Sequence, residues 1–314
     1  MKTFGQISLR ESFGKALVKA GKRYSDLRVL DAGTKNSTMS NLFEKEYSDK
    51  FTNVGINEPG MVALATGMAM TGKRVVACDM SIFLTHAFAQ IQTAARQNDI
   101  HMILATSHTG ISVGPDGGSA HDITDLARMR TIPNLKIITP WDGWQTEKAL
   151  NYALENKGLY YLRLNRPAVP IFTEEESPFN FGEGEVLRTG NNITIIAIGD
   201  KVYNALEASD KLGNNFAEVI GVHTLEPLDE RTILKSVVKT GKVITVEDHM
   251  YVGGLYESVA GILAEKFPTA MRRVSLQRTF TTSGDPDELS QIYNMNTKSI
   301  INKIVAFTGI TPHK

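Results

Sequence analysis

The sequence predicts an α/β fold built from two doubly wound, mostly parallel-sheet domains. Short, near-continuous apolar runs alternate with longer helical patterns, as expected of strands covered on both faces. The alternation breaks once, across a proline-bearing acidic stretch, and then resumes. At 314 residues the chain also exceeds the ~100–200 residues of one comfortable core.

The elements follow in order. Residues 27–33, 51–56, 74–80, 101–106, 135–139 and 160–164 read as buried strands. Helical patterns lie between them at 8–20, 59–71, 82–96, 123–130 and 144–155. The second of these carries Ala63, Ala65, Gly67 and Ala69, small side chains that permit close packing. Residues 166–184 then hold Pro167, Pro170, Pro178, the acidic run Glu174, Glu175 and Glu176, and two glycines, a composition that suits a linker. Beyond it, strands at 193–199, 218–223, 242–247 and 272–276 alternate with helices at 201–212, 230–239 and 254–267, and a last helix at 297–305 closes the chain. The first domain is therefore expected at 1–172, the linker at 173–190 and a smaller second domain at 191–314.

Composition excludes several classes. Thirty-four Lys+Arg balance thirty-four Asp+Glu, so a nucleic-acid or membrane-surface partner is not expected. The chain is 42% hydrophobic and 22% charged, the values of a folded globule. A single cysteine, Cys78, excludes an internal disulfide framework and a multi-cysteine metal site, and fits a reducing, cytoplasmic setting. The opening residues lack an apolar signal core, and no run approaches the ~18 apolar residues that a membrane span needs.

Chemistry-bearing residues gather at strand ends. Glu58 stands between a strand and a small-residue helix, where ligands of parallel sheets collect. Alone it reads more readily as a first-turn acid that complements the helix dipole. Residues 107–122 form a loop rich in glycine and proline directly after the strand 101–106, and carry His108, Asp116, His121 and Asp122. Histidines there can accept, donate and shuttle protons near neutral pH. Arg163 and Arg166 end the strand 160–164, and either guanidinium suits an anionic group. Phe83 and Phe88 read as core when taken alone. No H-E-x-x-H, G-x-S-x-G or dinucleotide fingerprint occurs.

Taken together, the motifs G-I-N-E-P-G-M, F-L-T-H-A-F-A-Q-I, S-H-T-G-I-S-V-G-P-D-G-G-S-A-H, M-R-T-I-P-N-L-K-I-I-T-P and Y-L-R-L-N-R resemble, in order and spacing, the pyrimidine-binding part of transketolase. The later V-E-D-H-M-Y-V-G-G-L and S-G-D-P-D-E-L are similar to its C-terminal domain. The G-D-G…N segment with which the family holds Mg²⁺ and the diphosphate of thiamine diphosphate does not occur. The resemblance therefore implies the C-terminal subunit of a split transketolase, with the pyrimidine end of thiamine diphosphate on this chain. An N-terminal subunit would carry the G-D-G…N motif and most of the Mg²⁺ site, in an α2β2 assembly. The implied reaction moves a two-carbon ketol unit between sugar phosphates.

The family's roles pass to matching positions. Glu58 takes the place of the glutamate that hydrogen-bonds the aminopyrimidine and activates the cofactor. Phe83 and Met80 take the place of the wall beneath that ring, with a thioether at Met80 where an aromatic is frequent. His108, Asp116 and His121 match the loop that binds sugar hydroxyls and relays protons, giving His108 and His121 catalytic as well as substrate-binding roles. Arg166, Arg10 and Ser37 match groups that grip the acceptor phosphate. Asp116 and His121 stand one residue further apart than is usual, and Pro59, Gly33 and Asp122 also depart from the family pattern, which leaves the sugar pair open between ordinary pentose phosphates and a modified or branched sugar. Two other readings remain: the β subunit of a 2-oxo acid dehydrogenase E1, and a non-catalytic α/β binding subunit. The D-G-G-S-A-H loop and Arg166 favour sugar-phosphate chemistry over the first, and Glu58 favours catalysis over the second.

Overall fold

A computed structural model describes residues 2–97 and 99–310. The first part of the chain forms β1 (Gln6–Ser8), α1 (Leu9–Arg23), β2 (Arg28–Asp31), α2 (Lys35–Thr38), α3 (Asn41–Glu46), β3 (Phe51–Asn53), α4 (Glu58–Met70), β4 (Val75–Met80), α5 (Ser81–Leu84) and α6 (Phe88–Ala95). It continues through β5 (Met102–Ser107), α7 (Asp125–Met129), β6 (Leu135–Ile138), α8 (Gly143–Glu155), β7 (Leu159–Arg163) and β8 (Ala168–Pro170). The second part contributes β9 (Glu185–Arg188), β10 (Ile193–Ile198), α9 (Lys201–Leu212), β11 (Ala217–Val222), β12 (Thr224–Glu226), α10 (Glu230–Thr240) and β13 (Lys242–Met250). The chain closes with α11 (Leu255–Lys266), β14 (Ala270–Leu276), α12 (Pro286–Ile292) and α13 (Thr297–Thr308).

The expected α/β class with two mostly parallel sheets is what forms. The first sheet runs β12-β6-β7-β5-β4-β2-β3 and the second β14-β13-β10-β11-β9. All neighbours are parallel except β12 on β6 and β9 on β11. Every residue of β4, β5, β7, β10 and β11 is buried, which explains their mainly apolar character. Helices cover both faces. Leu9, Phe13 and Leu17 of α1 meet Ala149, Leu150 and Ala153 of α8 on one face of the first sheet. On its other face, Met61, Val62 and Ala65 join a core that runs on into Ile196, Ile220 and Val222 of the second sheet. One buried layer thus links the two sheets, and each fully buried aliphatic side chain in it contributes ~1.5–3 kcal/mol.

Several expectations need correction. The helix read across 82–96 is interrupted by a tighter turn at Thr85–Ala87, so α5 and α6 are separate. Phe83 consequently lies in a four-residue turn of helix directly after β4. The stretch read as linker is partly ordered: Glu185–Arg188 pairs with β11, and β8, just before it, pairs with β1. Most unexpectedly, β12 from the second part of the chain completes the edge of the first sheet, pairing Thr224 with Ile138 and Glu226 with Ile137. Beside that junction the fully buried Trp141 stacks on Phe172 at 6.5 Å and contacts His223 at 5.5 Å. Among the described residues, no helix is long and apolar enough to cross a membrane.

Candidate functional site

Helix α4 begins at Glu58 because the chain caps it there. Asn57 precedes the helix, and its Oδ1 accepts from the Gly60 amide at 2.9 Å, while Pro59 supplies a preset φ in the first turn. The carboxylate of Glu58 therefore sits at the positive end of a 13-residue helix and is only 6% exposed. His86 Nδ1 approaches Glu58 Oε2 at 3.6 Å. Sequence reasoning did not single out His86, which comes from the turn between α5 and α6 and is brought to Glu58 only by folding. Met80 ends β4 and is 7% exposed, and Phe83 is half-buried one turn further on. An acceptor, a thioether and a phenyl ring are groups that suit a planar heteroaromatic ring carrying an amino group.

Helix α4 and the residues leading into it leave several apolar side chains exposed. Ile56 is 91% exposed, Leu64 41% and Met70 62%, all on or next to α4. Its remaining outward positions include Ala63 and Gly67. Exposed apolar side chains grouped on one helix suit a surface that another surface covers.

A second cluster forms around the loop 107–122. His108 holds a left-handed backbone, φ 59°, is 3% exposed and shares a 2.8 Å hydrogen bond with Ser107 through Nδ1. Burial, followed by the Arg10 and Arg166 guanidiniums, pushes His108 down to about 4, with Asp116 opposing, so the ring is neutral at pH 7. Arg166 donates to the Val113 carbonyl at 2.6 Å and to Asp116 at 3.2 Å. Arg10 donates to the Ser37 carbonyl at 3.0 Å, and its buried Nε has no partner. Burial and the neighbouring Arg166 lower Arg10 from its ordinary value, yet a guanidinium stays charged. The fold thus gathers Arg10, Arg166, His108, Asp116 and Ser37, from four different stretches of chain. Two neighbouring guanidiniums are groups that suit an anion, although Arg166 is paired here with Asp116.

His121 is placed differently. Its Nε2 lies 3.1 Å from the Gly114 carbonyl, which can only accept, so Nε2 carries the proton and Nδ1 accepts from the Thr281 hydroxyl at 2.7 Å. Burial lowers its proton affinity. Both ring nitrogens are occupied, so a proton relay through His121 requires one of these contacts to be released. Thr281 comes from 160 residues away, which is why no local pattern announces it.

Arg163 and Asp122 are structural. Arg163 is 5% exposed and grips Asp125 at 2.7 Å while donating to the Asp248 carbonyl at 2.7 Å, which ties the first sheet to β13. That removes it from the anion-binding choice left open between Arg163 and Arg166. Asp122 is wholly buried, accepting from Ser81 at 2.6 Å and bidentately from Arg128 at 2.7 and 2.6 Å. Asp248 Oδ1 accepts from the Ile111 amide at 3.2 Å, and a Cβ at Gly110, whose φ is 64°, would come within 2.2 Å of Asp248 Oδ2. The loop is thereby clamped from the second domain.

Residues 5–171 match the model of the transketolase pyrimidine binding domain, and residues 182–300 that of the transketolase C-terminal domain. A Methanocaldococcus jannaschii chain named as a transketolase C-terminal section is 36% identical over 303 residues, covering 95% of both chains. Human transketolase is 33% identical over 305 residues, which take in 95% of this chain and 49% of that enzyme, so the chain spans about half the length of that relative. A solved structure described as a split gene transketolase, an inactive beta4 tetramer, superposes with a TM-score of 0.86 at 32% identity, covering 96% of this chain and 98% of the other.

Proposed function

The chain belongs to the transketolase family, and from that premise we propose that it is the C-terminal subunit of a thiamine-diphosphate-dependent transketolase. In this reading it transfers a two-carbon ketol unit from a ketose phosphate to an aldose phosphate and works only with an N-terminal subunit. The observation that carries the reading is the placement of Glu58: a buried carboxylate at the start of a helix whose exposed apolar side chains suit a covering surface. When bound, thiamine diphosphate supplies the carbanion chemistry that a protein side chain lacks.

The chain's own residues then have defined tasks. Glu58 accepts a hydrogen bond at the pyrimidine ring, and Met80 with Phe83 walls that ring. His108, neutral at pH 7, exchanges hydrogen bonds with sugar hydroxyls, together with Asp116 and His121. Arg166 and Arg10, with Ser37 holding Arg10 in place, grip the acceptor phosphate. The diphosphate and Mg²⁺ are assigned mainly to the N-terminal subunit, in an α2β2 complex. Cys78 is buried and free, in keeping with a reducing location such as the cytoplasm.

Mixing the chain with its N-terminal partner, thiamine diphosphate and Mg²⁺ should produce ketol transfer that neither subunit shows alone, measured by coupled assay on phosphorylated sugars. Full activity from this chain by itself would refute the split-enzyme reading. Arg166→Ala in that complex should raise KM for phosphorylated acceptors by roughly 10–100-fold, the worth of one charge-assisted pair of ~1.5–3 kcal/mol. An equal effect on unphosphorylated acceptors would remove its phosphate role.

A further inference from the structure

Asp79 ends the run of β4 just before Met80 and is completely buried. Its Oδ1 accepts twice, from the Met80 amide at 2.7 Å and from the Thr34 hydroxyl at 3.0 Å. Its Oδ2 has no hydrogen-bond partner. The ionisable groups set against it are Asp31 on β2, Glu58 on α4 and the Cys78 thiol on β4. Thr106, opposite on β5, and Thr34, ahead of α2, are neutral. Asp31 has taken the local donors, accepting from the Thr34 amide at 2.7 Å, Thr38 at 3.0 Å and Ser40 at 2.9 Å. A carboxylate at Asp79 would thus be buried with one oxygen bare and two acids for neighbours, an arrangement that burial strongly disfavours. A carboxylic acid suits the same geometry better: the carbonyl oxygen takes both donors, and although the buried Oδ2 hydroxyl still lacks a partner, no charge is left bare.

We propose that Asp79 is a positioning residue of the Glu58 site that works as a neutral carboxylic acid, pinning the Gly33–Thr34 turn to the end of β4 and so fixing Met80. The proposal rests on the reading of Glu58, Met80 and Phe83 as the pyrimidine-facing group. In its neutral form Asp79 orders the site without adding a second negative charge beside Glu58. Burial raises Asp79 to about 8 against the hydrogen bonds from Met80 and Thr34, and nearby Asp31 and Glu58 add to the rise. The proton is therefore present at neutral pH and lost in mild alkali.

Two variants separate geometry from charge. Asn at this position keeps an oxygen for the Met80 and Thr34 donors and cannot ionise, whereas Leu removes both contacts. The folded acid keeps a proton that the unfolded acid loses near pH ~4, so wild-type stability falls as pH rises towards about 8. Asp79→Asn lacks that fall. In thermal melts of the full chain, the melting-temperature advantage of Asp79→Asn over wild type should widen up to about pH 8 and then level off. A constant difference would show that Asp79 is already ionised and would overturn the proposal. In the complex with the N-terminal subunit, Asp79→Leu should lower kcat at least ~10-fold and Asp79→Asn should restore it to within ~3-fold of wild type. Wild-type kcat should also decline above about pH 8 while that of Asp79→Asn holds. An Asn variant as impaired as the Leu variant would show that the charge is required, and a Leu variant as active as wild type would show that the residue positions nothing; either result overturns the proposal. If the wild-type complex shows no ketol transfer, the functional reading fails, while the melting series still decides the protonation of Asp79.

Discussion

Glu58→Ala is expected to lower turnover of the reconstituted enzyme at least ~10²-fold, because it removes the buried carboxylate of the proposed pyrimidine site. The fold should survive the change. Asn57 still caps α4 through Gly60, and the lost charge–dipole interaction at a helix start is worth ~0.3–1 kcal/mol. Glu58→Gln makes the sharper comparison. It keeps the shape and an acceptor oxygen but loses the charge, so it should fall between alanine and wild type. The measurement is kcat at saturating cofactor, with cofactor affinity titrated separately. Activity of the alanine variant within ~3-fold of wild type would end the assignment of Glu58.

The second large effect concerns stability rather than chemistry. Arg163→Met should destabilise the chain by about 3–5 kcal/mol, the usual result of stripping one partner from a buried ion pair. Asp125 would then lie fully buried with Tyr161 at 2.9 Å as its one short contact, and the bridge from Arg163 to the Asp248 carbonyl would be gone. Burial alone would raise Asp125, but Arg163 and His249 override it and hold the carboxyl below its ordinary value. A depressed acid contributes stability that is complete above its unfolded value near pH ~4 and is lost as pH falls through the folded one. Without Arg163, burial raises Asp125, so the Arg163→Met penalty should be largest at and above neutral pH and shrink as pH falls, beginning in mild acid. Changing Asp125 to Leu in the same chain should recover part of the loss, since no charge is then left unpaired. Urea unfolding of the two single variants and the double variant measures this directly. Arg163→Met within ~1 kcal/mol of wild type would show that the buried pair contributes little to stability.

Much of this architecture is legible in the residue pattern, because burial on both faces writes itself as near-continuous apolar runs. The strands β4, β5, β7, β10 and β11 are wholly buried, and each falls within or close to such a run. What escapes notice is short or half-polar. Strand β12 is three residues pairing with a partner more than eighty residues earlier, and β9 lies in a stretch whose acids and prolines argue for a linker. The break between α5 and α6 also leaves no mark, since Thr85 and His86 suit a helix as well as a tight turn. The candidate site divides the same way. Glu58 and the loop 107–122 are conspicuous because strand ends concentrate function. The contrast between Arg163 and Arg166 is invisible, because it is set by Asp125, 38 residues from Arg163. Asp79 is equally silent in sequence: only the missing partner at Oδ2 gives it away.

Strand β12 has a bearing on how such a chain can be inherited. A crossover placed in the stretch between the two sheets looks harmless on paper, since few ordered residues would be cut. It would nonetheless leave β6 with an unpaired edge and give the incoming half a strand shaped for another sheet. Recombination that trades one half for a distant relative's must also find a compatible edge at Ile137 and Ile138. The edge strand thus makes the first sheet a product of both halves of the chain.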